Sequence, residues 1–152
     1  GENLLDLFMA PSSQGLEPPR KPRRFNLGAV GFCMGGGMAI AAAASHAHRF
    51  SAVASFHGGH LATESPSSAH LLVPRLTAHV YVASAENDDS YPPAMAARFE
   101  DALRMGAVNH RAEVYRGASH GWMVPDFPVQ DAVLADRGRA AMLELFSRGL
   151  AH

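Results

Sequence analysis

Apolar positions along the chain gather in short runs that alternate with longer, helix-like stretches. Phe25 to Phe32 is a largely apolar run, and it reads as a first strand. Phe50 to Phe56 (FSAVASF) and His79 to Ala85 (HVYVASA) read as a second and a third, and Ala112 to Tyr115 as a fourth. Between the first two lies Gly36 to His46, Ala-rich and almost without charge, which predicts a helix buried against a sheet. Pro92 or Pro93 opens a helix running to about Met105, with Gly106 as its C-cap. A last helix is predicted from about Val129 to Gly149, apolar at Ala132, Val133, Ala140, Leu143, Phe146 and Leu150. Leu61 to Ser68 reads as polar loop and Ala69 to Val73 as a helical turn. Strand and helix alternate, so the expected class is α/β with a mostly parallel sheet and flanking helices.

The first 24 residues break this pattern. Glu2 to Met9, with Leu4, Leu5, Leu7 and Phe8, reads as the end of an amphipathic helix. Pro11 to Arg24 carries Pro11, Gly15, Pro18, Pro19 and Pro22 among Arg20, Lys21, Arg23 and Arg24. That composition predicts a mobile loop whose basic cluster is either a docking patch or, more simply, a solvated run. The expected division is therefore 1–24, helix end and loop, and 25–152, the α/β body. The chain opens on Gly1 rather than Met, which reads as a trimmed or internal start.

With 47% hydrophobic and 18% charged residues, the 152-residue chain is globular and has the length of one domain. A net charge of −1 argues against a nucleic-acid or membrane-surface partner. No apolar run approaches the roughly 18 residues that would span a bilayer, and no signal peptide is recognisable. One cysteine excludes an internal disulfide and makes a reducing cytoplasm the simplest expectation.

That cysteine lies in Gly31-Phe32-Cys33-Met34-Gly35-Gly36-Gly37, between the first strand and the first helix. The stretch fits a nucleophile elbow, G-x-nucleophile-x-G, with Cys in place of Ser. Gly31 and Gly35 would let strand and helix pass closely, and the helix start would favour thiolate. The Met34 N–H, one residue on, is the expected oxyanion donor. A phosphate-binding turn is the competing reading, but no Gly-Lys-Ser/Thr follows. A G-x-G-x-x-G fingerprint would need Cys33 at a glycine position. The plainest alternative is a buried, inert Cys.

Working residues in such sheets collect at strand C-termini. Here those ends carry Cys33, then Asp88 or Asp89, then His120, the order nucleophile, acid, histidine of an α/β-hydrolase. Cys33 would attack a carbonyl carbon, His120 would move the proton, and the acid would hold the imidazole. Glu86, Asp88 and Asp89 could instead merely cap the helix at Pro92. His57 and Gly58, ending the strand beside the elbow, are expected at the pocket mouth. Met34 and Trp122 are expected as apolar pocket walls, with plain core the alternative for Trp122. A metal site from His46, His48, His57 and His60 is the weaker reading, because Gly58 and Gly59 oppose a helix there and no Cys or carboxylate completes a zinc set.

Three stretches resemble the dienelactone hydrolase family of α/β-hydrolases. They are Val30-Gly31-Phe32-Cys33-Met34-Gly35-Gly36, Ala85-Glu86-Asn87-Asp88 with Tyr91-Pro92, and Ala118-Ser119-His120-Gly121-Trp122. The Gly-Phe-Cys-x-Gly-Gly elbow is the distinctive part, since most α/β-hydrolases carry Ser. In the family the acid precedes an apolar residue and Pro, which selects Asp88 over Asp89. The resemblance implies cytosolic hydrolysis of small esters or enol-lactones, with no metal or cofactor. It covers Phe25 to the C-terminus and so implies a partial α/β-hydrolase fold. The N-terminal strands, and the loop giving a second oxyanion N–H, are missing from this chain. Loss of one such donor lowers rates by roughly 10²–10³. The elbow strand is central in the family, so its unpaired edge is expected to be covered by a second copy or by an N-terminal fragment. A catalytically impaired fragment acting as a binding or structural module is the alternative function.

Overall fold

The computed structural model describes residues 26–151. The expected helix end at Glu2–Met9, the loop up to Arg24 and a strand start at Phe25 lie outside the described residues. Four strands follow: β1 (Leu27–Phe32), β2 (Phe50–Phe56), β3 (His79–Asn87) and β4 (His110–Ser119). Three helices intervene or follow: α1 (Met34–Ser45), α2 (Pro93–Met105) and α3 (Ala132–Leu150). A 3₁₀ helix, Ala69–Arg75, occupies the expected helical turn and runs past it.

All neighbouring strands are parallel, in the order β1-β2-β3-β4. Side chains alternate between the two faces of a strand, and here both faces are apolar, as a sheet covered on both sides requires. Val53, Val80 and Val82 turn to the face packed by Ile40, Ala43, Phe99 and Leu103 from α1 and α2. Ala54, Phe56, Tyr81 and Ala83 turn to the opposite face, against Tyr115, Trp122 and Ala135. Each large side chain so buried contributes about 1.5–3 kcal/mol. The result is helix, sheet, helix: the α/β class that the strand and helix alternation predicts, and a partial α/β-hydrolase fold, as the resemblance implies.

Several boundaries move for identifiable reasons. α3 starts at Ala132 rather than Val129, because Asp131 caps it, its Oδ1 accepting the Leu134 N–H at 2.9 Å. Its buried face is Ala135 and Gly138, whereas Val133 and Leu143, two of its apolar positions, stand exposed. Leu61 and Ala62, expected in a polar loop, are buried and pack into the α1 side of the core. β4 extends well beyond Ala112–Tyr115, because its pairing with β3 continues to Ser119 opposite Asn87.

The two outer strands differ from the inner pair. β1 borders the sheet among the described residues, and Val30 and Phe32 are each 39% exposed. No helix among the described residues is long and apolar enough to cross a membrane.

Candidate active site

Every strand hands the chain to a chemically capable side chain at the residue after its last. Cys33 follows β1, His57 follows β2, Asp88 follows β3 and His120 follows β4. Parallel strands end on one side of a sheet, so all four residues meet there. Three of them, Cys33, Asp88 and His120, border a crevice of about 710 Å³ that Met34, Gly59, His60, Asp89 and Ser90 also line, with His57 buried beneath it.

Cys33 sits at φ 52° and ψ −127°, a left-handed backbone that a non-glycine residue adopts only when its surroundings impose it. The imposition is visible. A Cβ on Gly31 would lie 1.8 Å from the Gly35 carbonyl oxygen, and one on Gly36 would lie 2.2 Å from Ser55 Oγ. Gly35 itself faces open space, so the close approach expected of Gly31 and Gly35 is made by Gly31 and Gly36. Met34 opens α1, where first-turn N–H groups lack intrahelical acceptors, and its side chain is exposed.

His57 is fully buried with φ 39°, and its Nδ1 is bound to the elbow. Nδ1 accepts the Cys33 backbone N–H at 3.2 Å and lies 3.4 Å from Cys33 Sγ. A backbone N–H can only donate, so Nδ1 acts as an acceptor here, its one lone pair shared between that N–H and the thiol beside it. Burial, reinforced by the nearby His120, pushes the His57 imidazole down to about 4, so it is neutral around pH 7. The same crowding acts on the thiol. Burial, with Asp88 adding to it, pushes Cys33 up, against the expectation that the helix start would favour thiolate. Burial makes a charged sulfur costly, and the Asp88 carboxylate adds like-charge repulsion.

His120 and Asp88 form the other half. His120 Nδ1 lies 2.7 Å from Asp88 Oδ2, and the carboxylate is almost wholly buried. Asp88 Oδ1 accepts both the Ser90 N–H at 2.9 Å and the Ser90 hydroxyl at 2.6 Å. Asp89 is exposed and makes no such contact with His120. Cys33 Sγ and one ring nitrogen each of His57 and His120 all lie within 4.8 Å of one another.

Of the residues expected at the pocket, His57 and Gly58 are buried beneath the crevice rather than lining it. Gly58 packs on Ser55, where a Cβ would lie 2.4 Å from the hydroxyl. Trp122 is also buried, stacked on Tyr115 with centroids 4.8 Å apart and edge-on to His57 at 5.0 Å. Gly59 and His60 take the lining places instead. The contact of His57 with sulfur and the role of Ser90 are absent from the sequence reading. A signal for His57 was present: it occupies the same offset from its strand as Cys33, Asp88 and His120.

The sequence model described as the Dienelactone hydrolase family matches residues 16–150. Among solved structures, the chain is similar to a Klebsiella pneumoniae protein named for dienelactone hydrolase, at 24% identity and TM-score 0.74, over 80% of this chain and 52% of that one. It is also similar to P91, a dienelactone hydrolase-like promiscuous phosphotriesterase from metagenomic libraries, at 25% identity and TM-score 0.69, over 82% and 52% of the two chains. A dienelactone hydrolase from Anabaena variabilis matches at 27% identity and TM-score 0.57, over 81% and 49%. The chain thus spans about half the length of these solved relatives. No curated protein matches.

Proposed function

The chain belongs to the dienelactone hydrolase family, and from that premise we propose that it hydrolyses a small ester or enol-lactone through Cys33, His120 and Asp88. The observation that carries this reading is the pairing of a strained Cys33 with a His120 anchored to buried Asp88 at 2.7 Å across one crevice. His120 Nδ1 is engaged by Asp88, which leaves Nε2 to take the thiol proton. Cys33 Sγ then adds to the carbonyl carbon, and the Met34 N–H receives the oxyanion. Collapse releases the alcohol or enol, protonated from His120, and leaves an acyl-thioester on Cys33. Water, deprotonated by His120, attacks that thioester and frees the acid and the thiol. Asp88 stays ionised throughout and stabilises the imidazolium.

His57 is the weaker base for this step. It is low in basicity, buried, and has no carboxylate partner on its other nitrogen. Its role in this scheme is to hold the resting thiol as a thiol. Proton removal then coincides with substrate arrival rather than preceding it.

The substrate belongs to the small-molecule class that suits the crevice, and a cytoplasmic setting suits a catalytic thiol kept reduced. The exposed β1 edge is proposed to be covered by a second copy or by an N-terminal fragment. A Val30→Lys variant should then lower the solution mass of the parent in sedimentation equilibrium; a strictly monomeric parent sinks the self-pairing version. A second reading, an impaired hydrolase module, is favoured by that edge and by the half-length match.

The deciding experiment compares release of p-nitrophenol from p-nitrophenyl acetate by the chain and by Cys33→Ala. Turnover lost in the variant supports the hydrolase; equal background rates in both leave the fold standing and favour the inert module.

A further inference from the structure

We propose that Cys33, His57 and His120 form a three-ligand site for a soft divalent cation of the zinc type, with a fourth position open to the crevice. Occupation of that site and acyl transfer at Cys33 would be mutually exclusive. The binding itself needs no turnover; only its inhibitory consequence rests on the hydrolase reading.

The three donors come from three strand ends, and their ligand atoms already lie within 4.8 Å of one another. Bonds of about 2.3 Å to sulfur and 2.0–2.1 Å to nitrogen give a tetrahedral S···N edge of about 3.5 Å. Cys33 Sγ and His57 Nδ1 stand 3.4 Å apart, close to that edge without movement. His57 can release the Cys33 N–H, because the same N–H also reaches the Phe56 carbonyl at 3.2 Å. His120 presents Nε2, since Asp88 takes Nδ1; a carboxylate behind a ligating imidazole is the usual outer-shell support for a metal. Its side chain is 37% exposed, so it has room to make the short approach. One thiolate with two imidazoles selects zinc-type cations over magnesium or calcium, which prefer oxygen. On binding, the S–H bond breaks and an S–metal bond forms. One proton leaves to solvent for each cation bound, and nothing is oxidised. The sulfur that would attack and the nitrogen that would take its proton are then both occupied.

The test loads the full, chelator-washed chain with Co²⁺ and reads its absorption spectrum without substrate. A thiolate-to-cobalt charge-transfer band saturating at one Co²⁺ per chain is expected, displaced by Zn²⁺. Cys33→Ser should abolish the band, and His57→Gln and His120→Gln should each weaken binding at least tenfold. Exposed His48, changed to Gln, should leave binding unaltered. Should buried His57→Gln fail to fold, X-ray absorption on the Zn²⁺-loaded parent counts the ligands: one sulfur and two imidazoles are expected. Co²⁺ bound without a sulfur band, or fewer than two imidazoles, overturns the proposal even if esterase activity is present. A chain that binds Co²⁺ through sulfur but turns over no ester leaves the site standing while the hydrolase reading falls. In an active chain, turnover that persists at saturating Zn²⁺ overturns the exclusivity.

Discussion

The β3–β4 side of the crevice and the β1–α1 side are built to different standards. On the first, Asp88 is buried, its two oxygens are taken up by Ser90 and His120, and β3, which leads into it, is paired on both sides, while β4 forms the other border of the sheet among the described residues. On the second, Cys33 lies at the sheet border beside exposed Val30, Phe32 and Met34, with a thiol pushed up and one expected oxyanion donor. The Asp88–His120 pair finds its hydrogen-bond partners among the described residues. The turn at Cys33 is sterically set by Gly31 and Gly36, and its thiol is pushed up by burial and Asp88. The lesson is that an elbow's geometry is a local property of a strand–helix junction, whereas its environment depends on strands further along the sheet.

The sharpest way to break this comparison is to remove the histidine of its first side. His120→Gln is expected to lower p-nitrophenyl acetate turnover by up to about 10⁶, leaving only the roughly 10³–10⁴ over water that binding and the oxyanion donor supply. Steady-state kinetics checks this beside His57→Gln, whose loss should be much smaller. Were the two losses reversed, the base would be His57 and the two sides would exchange roles.

Much of this was legible in the sequence because the signals are local. Phe50–Phe56 is a continuous apolar run and is the observed strand, and Pro93 with Gly106 brackets α2 as expected. Cys33, Asp88 and His120 were legible because each follows a strand, and position after a strand is a one-dimensional property. What stayed hidden depends on distance in space. The 3.4 Å contact of His57 with sulfur joins residues 24 apart in sequence, and no periodicity records it. The direction of the Cys33 shift was hidden for the same reason, since it follows from burial and from Asp88, brought close only by the fold. Trp122 belongs to the same class: an aromatic after a histidine fits a pocket wall or a core equally well until its neighbours, Tyr115 and His57, are known.

His57 also makes the comparison testable by pH. Its imidazole is held down near 4 from an ordinary 6.5, so the unfolded chain takes up a proton that the folded chain refuses. The contribution is fully present above about pH 6.5 and is lost as pH falls toward 4, amounting to about 3 kcal/mol across that window. Urea unfolding in EDTA-containing buffer should show this slope in the parent and a flatter one in His57→Gln. An equal slope in both would place the acid sensitivity elsewhere, on the carboxylates of the β3–β4 side.

The smallest expected effect tests how firmly Asp88 is held on that side. Ser90→Ala removes a 2.6 Å hydroxyl contact to Asp88 Oδ1 but leaves the Ser90 backbone N–H at 2.9 Å on the same oxygen. Half of the support therefore survives, and the His120 contact uses the other oxygen. Loss of one hydrogen bond to a charged group, with a second retained, corresponds to about 1 kcal/mol, or roughly five- to tenfold in kcat. KM should hardly move, since Ser90 acts on the acid and not on the ester carbonyl. A loss matching that of His120→Gln would mean that Asp88 is held by the hydroxyl alone. No loss at all would mean that the backbone suffices, and that the close fit of Ser90 Oγ against Gly59, where a Cβ would lie 2.5 Å away, shapes the crevice rather than the acid.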